Sequence, residues 1–205
     1  MRRTTFILAT TALMFAPLGA AAKSHGFETT IASPLQTPVK IEVVLSEDLA
    51  FRANNLPKKL SDRGSGSRGL GAGFSGNGFY GDRALEHLVD EVLEELTEDF
   101  TKRGIAISDD AAITLRVTLE DVKNNRPTFE QMSKEPGLSF DSFGVGGAEL
   151  SGELVSNDGN SLGTVNYRWF ETGLRNDGFA RANGTWSDAN RAISRFAKKT
   201  AKTLS

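Results

Sequence analysis

His87 to Val122 reads HLVDEVLEELTEDFTKRGIAISDDAAITLRVTLEDV, and two periodicities meet inside it. The first continues a pattern that begins at Asp82. Leu85, Leu88, Val89, Val92, Leu93, Leu96 and Phe100 recur at three- and four-residue steps, which makes one apolar stripe on a helix. The spacing predicts a helix over Asp82–Arg103. Asp82 is its expected N-terminal cap, Lys102 and Arg103 sit at the negative end of its dipole, and Gly104 stops it. Glu86, Asp90, Glu91, Glu94, Glu95, Glu98 and Asp99 make its other face acidic. After the turn at Ser108–Ala111 the period changes to two. Ile113, Leu115, Val117 and Leu119 alternate with Thr114, Arg116, Thr118 and Glu120. A strand that is apolar on one side belongs to a sheet covered on one side.

Working outward, Val39–Leu45 (VKIEVVL) alternates in the same way and predicts an earlier strand. Ser46 to Gly81 then shows no convincing element beyond a short helical turn in EDLAFRANNLPKKL, and it carries eight glycines from Gly64 to Gly81. Downstream, Asn124–Gly146 reads as a second long connection. The segments AELSGELV and LGTVNYRWFET, joined across Asp158-Gly159, predict a hairpin. A last helix is expected over Ser187–Leu204. Ala189, Ala192, Ile193, Phe196, Ala197, Thr200 and Leu204 face inward, and Arg191, Arg195, Lys198, Lys199 and Lys202 face out. The order β-α-β-β-β-α predicts an α+β two-layer sandwich. Its mostly antiparallel sheet of about four strands carries both helices on one face.

The ends speak to location. Arg2 and Arg3 precede an apolar run, Phe6–Leu18, which is short for a bilayer span, and Ala20–Ala22 supplies small residues for cleavage. This pattern predicts a bacterial secretory signal peptide over residues 1–22, cleaved near Ala22. Residues 23–37 then read as a flexible arm, and 38–205 as one α+β domain with a glycine-rich loop at 64–81. The expected address is the periplasm or the exterior, with no transmembrane segment after cleavage. With no cysteine in the chain, disulfides, thiolate chemistry and Cys-ligated metals are excluded. A net charge of −2, made more negative by loss of Arg2 and Arg3, argues against nucleic acid as a partner.

The helix, then Gly-Ile-Ala-Ile, then an acidic turn and an alternating strand, resembles small bacterial envelope domains of the outer-membrane lipoprotein type. The curli-secretion lipoprotein is a better known relative in style. The resemblance covers residues 39–122 and implies an α+β envelope domain, without assigning any residue a role. It departs from that pattern at the lipobox: Leu18-Gly19-Ala20 is followed by Ala21, so no cysteine is present to acylate.

Several motifs invite chemistry. Gly71-Ala-Gly73-Phe-Ser-Gly76 fits G-x-G-x-x-G, but Asn77–Gly81 separates it from the helix, Asp82 places a negative charge at the helix start, and no P-loop Lys-Ser/Thr follows. In the same loop Leu70, Phe74, Phe79 and Tyr80 alternate with glycines. They form a candidate partner-binding set, because exposed apolar clusters mark contacts. His25 and His87 lack converging ligands, so no metal is expected, and no Ser-His-Asp set is present. No cofactor is expected either. At the end of the best strand, Arg126 is placed to clamp an anion and Asn125 to read a polar ligand, with Trp169 as an aromatic wall. The plain alternative is a proline-terminated turn with satisfied asparagines and a core tryptophan.

The function expected on these grounds is an exported, non-enzymatic binding or assembly-accessory domain that meets an envelope protein partner. Its contact surface would be the Gly/Phe loop and the 124–146 connection. The alternative is a small-ligand carrier or enzyme with a pocket near Asn125, Arg126 and Trp169. A third reading is a subunit that pairs through an exposed sheet edge.

Overall fold

The computed structural model describes residues 26–59, 76–172 and 184–205. The expected signal peptide, His25 and residues 60–75, with Leu70 and Phe74 among them, lie outside the described residues. The elements in chain order are β1 (Gly26–Thr29), β2 (Val39–Leu45), α1 (Glu47–Arg52), α2 (Asp82–Lys102), β3 (Ile113–Lys123), α3 (Phe129–Lys134), β4 (Gly147–Ser156), β5 (Ser161–Phe170) and α4 (Ser187–Leu204). They form one five-stranded sheet in the order β1-β5-β4-β3-β2. β2 and β3 run parallel, and every other pairing is antiparallel.

The α+β two-layer arrangement follows from the alternation in β3. Leu115, Val117, Leu119 and Val122 are fully buried under the helix layer, as are Leu88, Val92, Leu96 and Phe100 of α2 and Ala192, Ile193, Phe196 and Leu204 of α4. α2 and α4 pack side by side, with α2 reaching β2 and α4 lying across β4 and β5. A bulge in β3 between Leu119 and Asp121 shifts the period and returns Val122 to the covered face. Opposite Val117 stands Gly152, where a Cβ would lie 2.7 Å from Val165 Cγ2, so the small residue lets the layers close.

The structure corrects the sequence reading in several places. The sheet has five strands rather than about four. The additional one, β1, lies in the stretch expected to be a flexible arm, where it pairs with Val165–Arg168 of β5. Beyond it the Thr30 N–H donates to the Thr164 carbonyl, and the Leu35 N–H to the Leu204 carbonyl at the end of α4. The arm is therefore a strap across the domain. Gly81, not Asp82, occupies the N-cap of α2, and the Asp82 carboxylate instead accepts from Asn54 Nδ2 at 3.0 Å. Leu93, assigned to the inner stripe, is 42% exposed. Among the described residues no ion pair joins acidic α2 to basic α4. Their polar contact is Glu95 with Ser194, and burial raises the Glu95 pKa.

Leu115→Ala is expected to cost about 2–5 kcal/mol in urea unfolding, because it opens a cavity under the helices. Leu93→Ala should change stability by less than about 0.5 kcal/mol. Equal losses would mean that the buried face has been misassigned.

Candidate functional site

Both long helices begin at the same end of the sheet, where β3 finishes. The parallel β2–α2–β3 unit and the antiparallel β4–β5 hairpin together bring three segments there: Gly76–Gly81, the 124–146 connection, and the start of α4. Buried polar side chains hold them together. Asn125 Nδ2 donates to Asp188 Oδ2 at 2.5 Å and to the Gly144 carbonyl at 3.2 Å, while its Oδ1 accepts from the Asp188 N–H at 2.8 Å. Asp188 Oδ2 also accepts from the Gly146 N–H at 3.1 Å, and Arg191 donates to Oδ1 at 2.8 Å. Asp188 lies in the first turn of α4, where the helix dipole favours its charge.

A second cluster sits beside the first. Asn124 Nδ2 donates to Gln131 Oε1 at 2.7 Å and to the Arg126 carbonyl at 2.8 Å. Gln131 Nε2 donates to the Gly78 carbonyl at 2.8 Å, and its Oε1 accepts from the Thr128 N–H at 2.9 Å. In return Thr128 Oγ1 accepts from the Gln131 N–H at 3.2 Å, which completes a capping box at the head of α3. Gly146 permits the arrangement, since a Cβ there would lie 2.7 Å from Asn125 Oδ1 and 2.8 Å from the Lys123 carbonyl. Gly78 lies so close to the Asn55 carbonyl that no side chain fits.

The expected contact residues separate in this setting. Tyr80, placed in an exposed set, is buried, which is a correction. Its hydroxyl lies 2.7 Å from both the Gly76 and Val122 carbonyl oxygens and has one proton to give. Its ring packs on Trp186 at 5.6 Å, with the Arg52 guanidinium 6.0 Å above it. Burial pushes its pKa far above the ordinary tyrosine value. Phe79 is half-buried, with a φ of 54° that few side chains tolerate, and its carbonyl accepts from Thr128 Oγ1.

The proposed ligand set fares differently. Asn125 is buried, with both amide protons and one acceptor position engaged within the fold. Arg126 turns away and donates to the Phe140 carbonyl at 2.8 Å. The Arg191 and Arg195 guanidinium groups lie over the Trp169 ring at 5.8 and 4.9 Å. Each of the three side chains is engaged within the fold.

What the sequence reading passed over is the pair Phe129 and Phe140. Phe129 opens α3, and Phe140 sits within the Ser139–Ser142 turn, where Arg126 holds its carbonyl. Their rings meet edge to face, with centroids 5.7 Å apart, while remaining 79% and 65% exposed. Two aromatic rings facing solvent on a backbone locked from beneath form a preorganised apolar contact. Their sequence signal was Phe129 just after the Thr128 cap and Phe140 in GLSFDSF, without periodicity to mark either as exposed.

Asn125→Asp sets a second carboxylate against Asp188 and is expected to destabilise the domain by more than Asn125→Ala, which itself should cost about 1–3 kcal/mol. Chemical denaturation of the two variants tests the order. Because the folded-state pKa of Tyr80 is raised, its stabilising contribution is present in full below pH ~10 and is lost as the unfolded chain ionises above that value. In a spectrophotometric titration the Tyr80 phenolate should appear only with unfolding. Its appearance in the folded protein would contradict the burial.

No family model matches the chain, and no curated protein matches it either. The chain is similar to two solved structures. One is a dodecamer of a PelC point variant from Paraburkholderia phytofirmans, at 14% identity and a TM-score of 0.41, covering 84% of this chain and 93% of that one. The other is a minor lipoprotein from Acinetobacter baumannii, at 9% identity and a TM-score of 0.33, covering 80% and 91%. No residue role is taken from either likeness. Among the described residues no helix is long and apolar enough to cross a membrane.

Proposed function

We propose that the chain is an exported, non-enzymatic binding domain of the bacterial envelope that docks a protein partner through the loops at the end of β3. The supporting observation is the exposed Phe129–Phe140 pair on its hydrogen-bonded base. Aromatic anchors on a rigid support bind with little loss of side-chain freedom, and such residues dominate interface energetics. The reading of a ligand pocket or enzyme site at Asn125, Arg126 and Trp169 gains no such support, because Asn125 and Arg126 are tied up in intramolecular hydrogen bonds and Trp169 lies under two guanidinium groups. The N-terminal pattern of residues 1–22 supports export and sets the compartment in which the partner is sought.

A photo-crosslinking residue placed at Phe129 or Phe140 in the native envelope is expected to capture a defined protein, and one at Leu162 is not. The double variant Phe129→Ser/Phe140→Ser should keep its melting temperature within a few degrees yet lose the partner by at least tenfold. An unchanged partner set in that variant would sink the proposal. Fractionation with N-terminal sequencing tests the export step, with cleavage expected near Ala22.

A further inference from the structure

α4 carries its charges on one side. Arg191, Arg195, Lys198, Lys199 and Lys202 fall within an arc of ~100° at 3.6 residues per turn, in a row ~16 Å long. The only acidic side chain of this helix, Asp188, is buried and committed to Asn125, Gly146 and Arg191. Arg195, Lys198, Lys199 and Lys202 are exposed, and among the described residues no ion pair reaches any of the four. The chain as a whole is acidic, so this helix runs against its net charge.

Sheet order decides which way the row leans. α2 lies against β2, at one end of the order β1-β5-β4-β3-β2. The cations lean toward the other end. The Arg191 and Arg195 guanidinium groups lie over Trp169 of β5, and Lys199 Nζ lies 5.6 Å from the ring centre of Phe27 on β1. Both rings are half-buried. A ring beneath a cation holds a long side chain in place, so less freedom is lost when that cation meets an anion. The acidic residues of α2 stand a helix spacing further in, ~10 Å, which is about one Debye length at ~0.1 M salt. Their repulsion of an anion at the α4 flank is therefore screened.

We infer that the α4 flank from Arg191 to Lys202 docks on an anionic phospholipid surface, with lipid phosphates on the cations and Trp169 and Phe27 backing them from below. Exposed cations in a straight row on a convex helix can touch a plane together. Polybasic segments beside a bilayer are drawn to anionic lipid, and cations with aromatic rings suit the headgroup boundary. The chain also brings this flank near a membrane. β1 begins at Gly26, eight residues after Leu18 closes the apolar run Phe6–Leu18, and eight residues span at most ~28 Å. On the export reading, on which this step rests, that run enters the bilayer and leaves β1, with the Lys199–Phe27 contact, close to its surface. A soluble polyanion would seek the same charges, and the test separates it from the bilayer.

The purified protein, expressed from the full chain, is expected to sediment with vesicles of phosphatidylglycerol and phosphatidylcholine in equal parts at ~0.1 M salt, and to be released at ~0.5 M. With pure phosphatidylcholine it should stay in the supernatant. Arg195→Glu/Lys199→Glu should weaken vesicle binding at least tenfold. Lys198→Glu/Lys202→Glu should do the same. It disturbs no ring contact among the described residues, so it serves where the first pair fails to fold. Phe129→Ser/Phe140→Ser should bind vesicles as the unaltered protein does, which tells loss of the lipid surface from loss of the protein partner. No binding to the mixed vesicles, equal binding to pure phosphatidylcholine, binding that ~0.5 M salt leaves intact, or undiminished binding in a folded charge-reversed variant would each overturn the inference. So would affinity for soluble polygalacturonate that equals affinity for the vesicles at matched charge.

Discussion

A buried carboxylate needs donors on every side, and Asp188 finds them in three separate parts of the chain. The Asn125 amide, the Gly146 N–H and the Arg191 guanidinium converge on its two oxygens. Each of those donors belongs to a segment that would otherwise be free to wander: the turn after β3, the entry to β4, and the first turns of α4. Removing one partner from such a group leaves the rest desolvated and unmatched, so the cost falls on the whole junction. The capping box at Thr128 and Gln131 extends the junction to α3 and to the Gly76–Gly81 segment. The place where the helices start, the turn of β3 and the posture of the exposed phenylalanines all rest on this one demand for hydrogen bonds.

The layered fold was legible because both of its signals are local. The stripe from Leu85 to Phe100 and the alternation from Ile113 to Leu119 each state which side is covered, and the covered sides meet. Alternation ends at the bulge after Leu119, so the return of Val122 to the core could not be read by counting. β1 was missed for a related reason. GFET has one large apolar residue in four, and its stability comes from a partner strand some 140 residues away, which no sequence window contains. Tyr80 looked like a loop residue because glycines surround it. In the fold those glycines let the backbone pass close to Asn55 and Asn124, which draws the ring inward. Asn125 and Arg126 were rightly noticed as unusual polar residues at a strand end, but their partners, Asp188 and Phe140, are distant in sequence. The exposure of Phe129 and Phe140 depends on the same long-range bonds.

The molecule thus divides its surfaces by rigidity. The end of the sheet carries aromatic rings fixed by side-chain hydrogen bonds, and the β2 edge carries backbone groups fixed by strand geometry. The outward flank of α4 is a third character. There Arg191, Arg195 and Lys199 sit at one-turn intervals over Trp169 and Phe27, which hold the long cationic side chains against the sheet.

The strap formed by β1 and Leu35 has a bearing on biogenesis. A ribosome makes β1 before any other strand of the sheet, yet its mate, Val165–Arg168 of β5, and the Leu204 carbonyl that takes the Leu35 N–H come only after the rest of the sheet. The sheet cannot close on its β1 side, nor the Leu204 carbonyl meet its donor, until β5 and α4 have emerged. Contacts so remote along the chain form slowly. A nascent chain with this topology stays open late, the condition under which threading through a narrow conduit is still feasible.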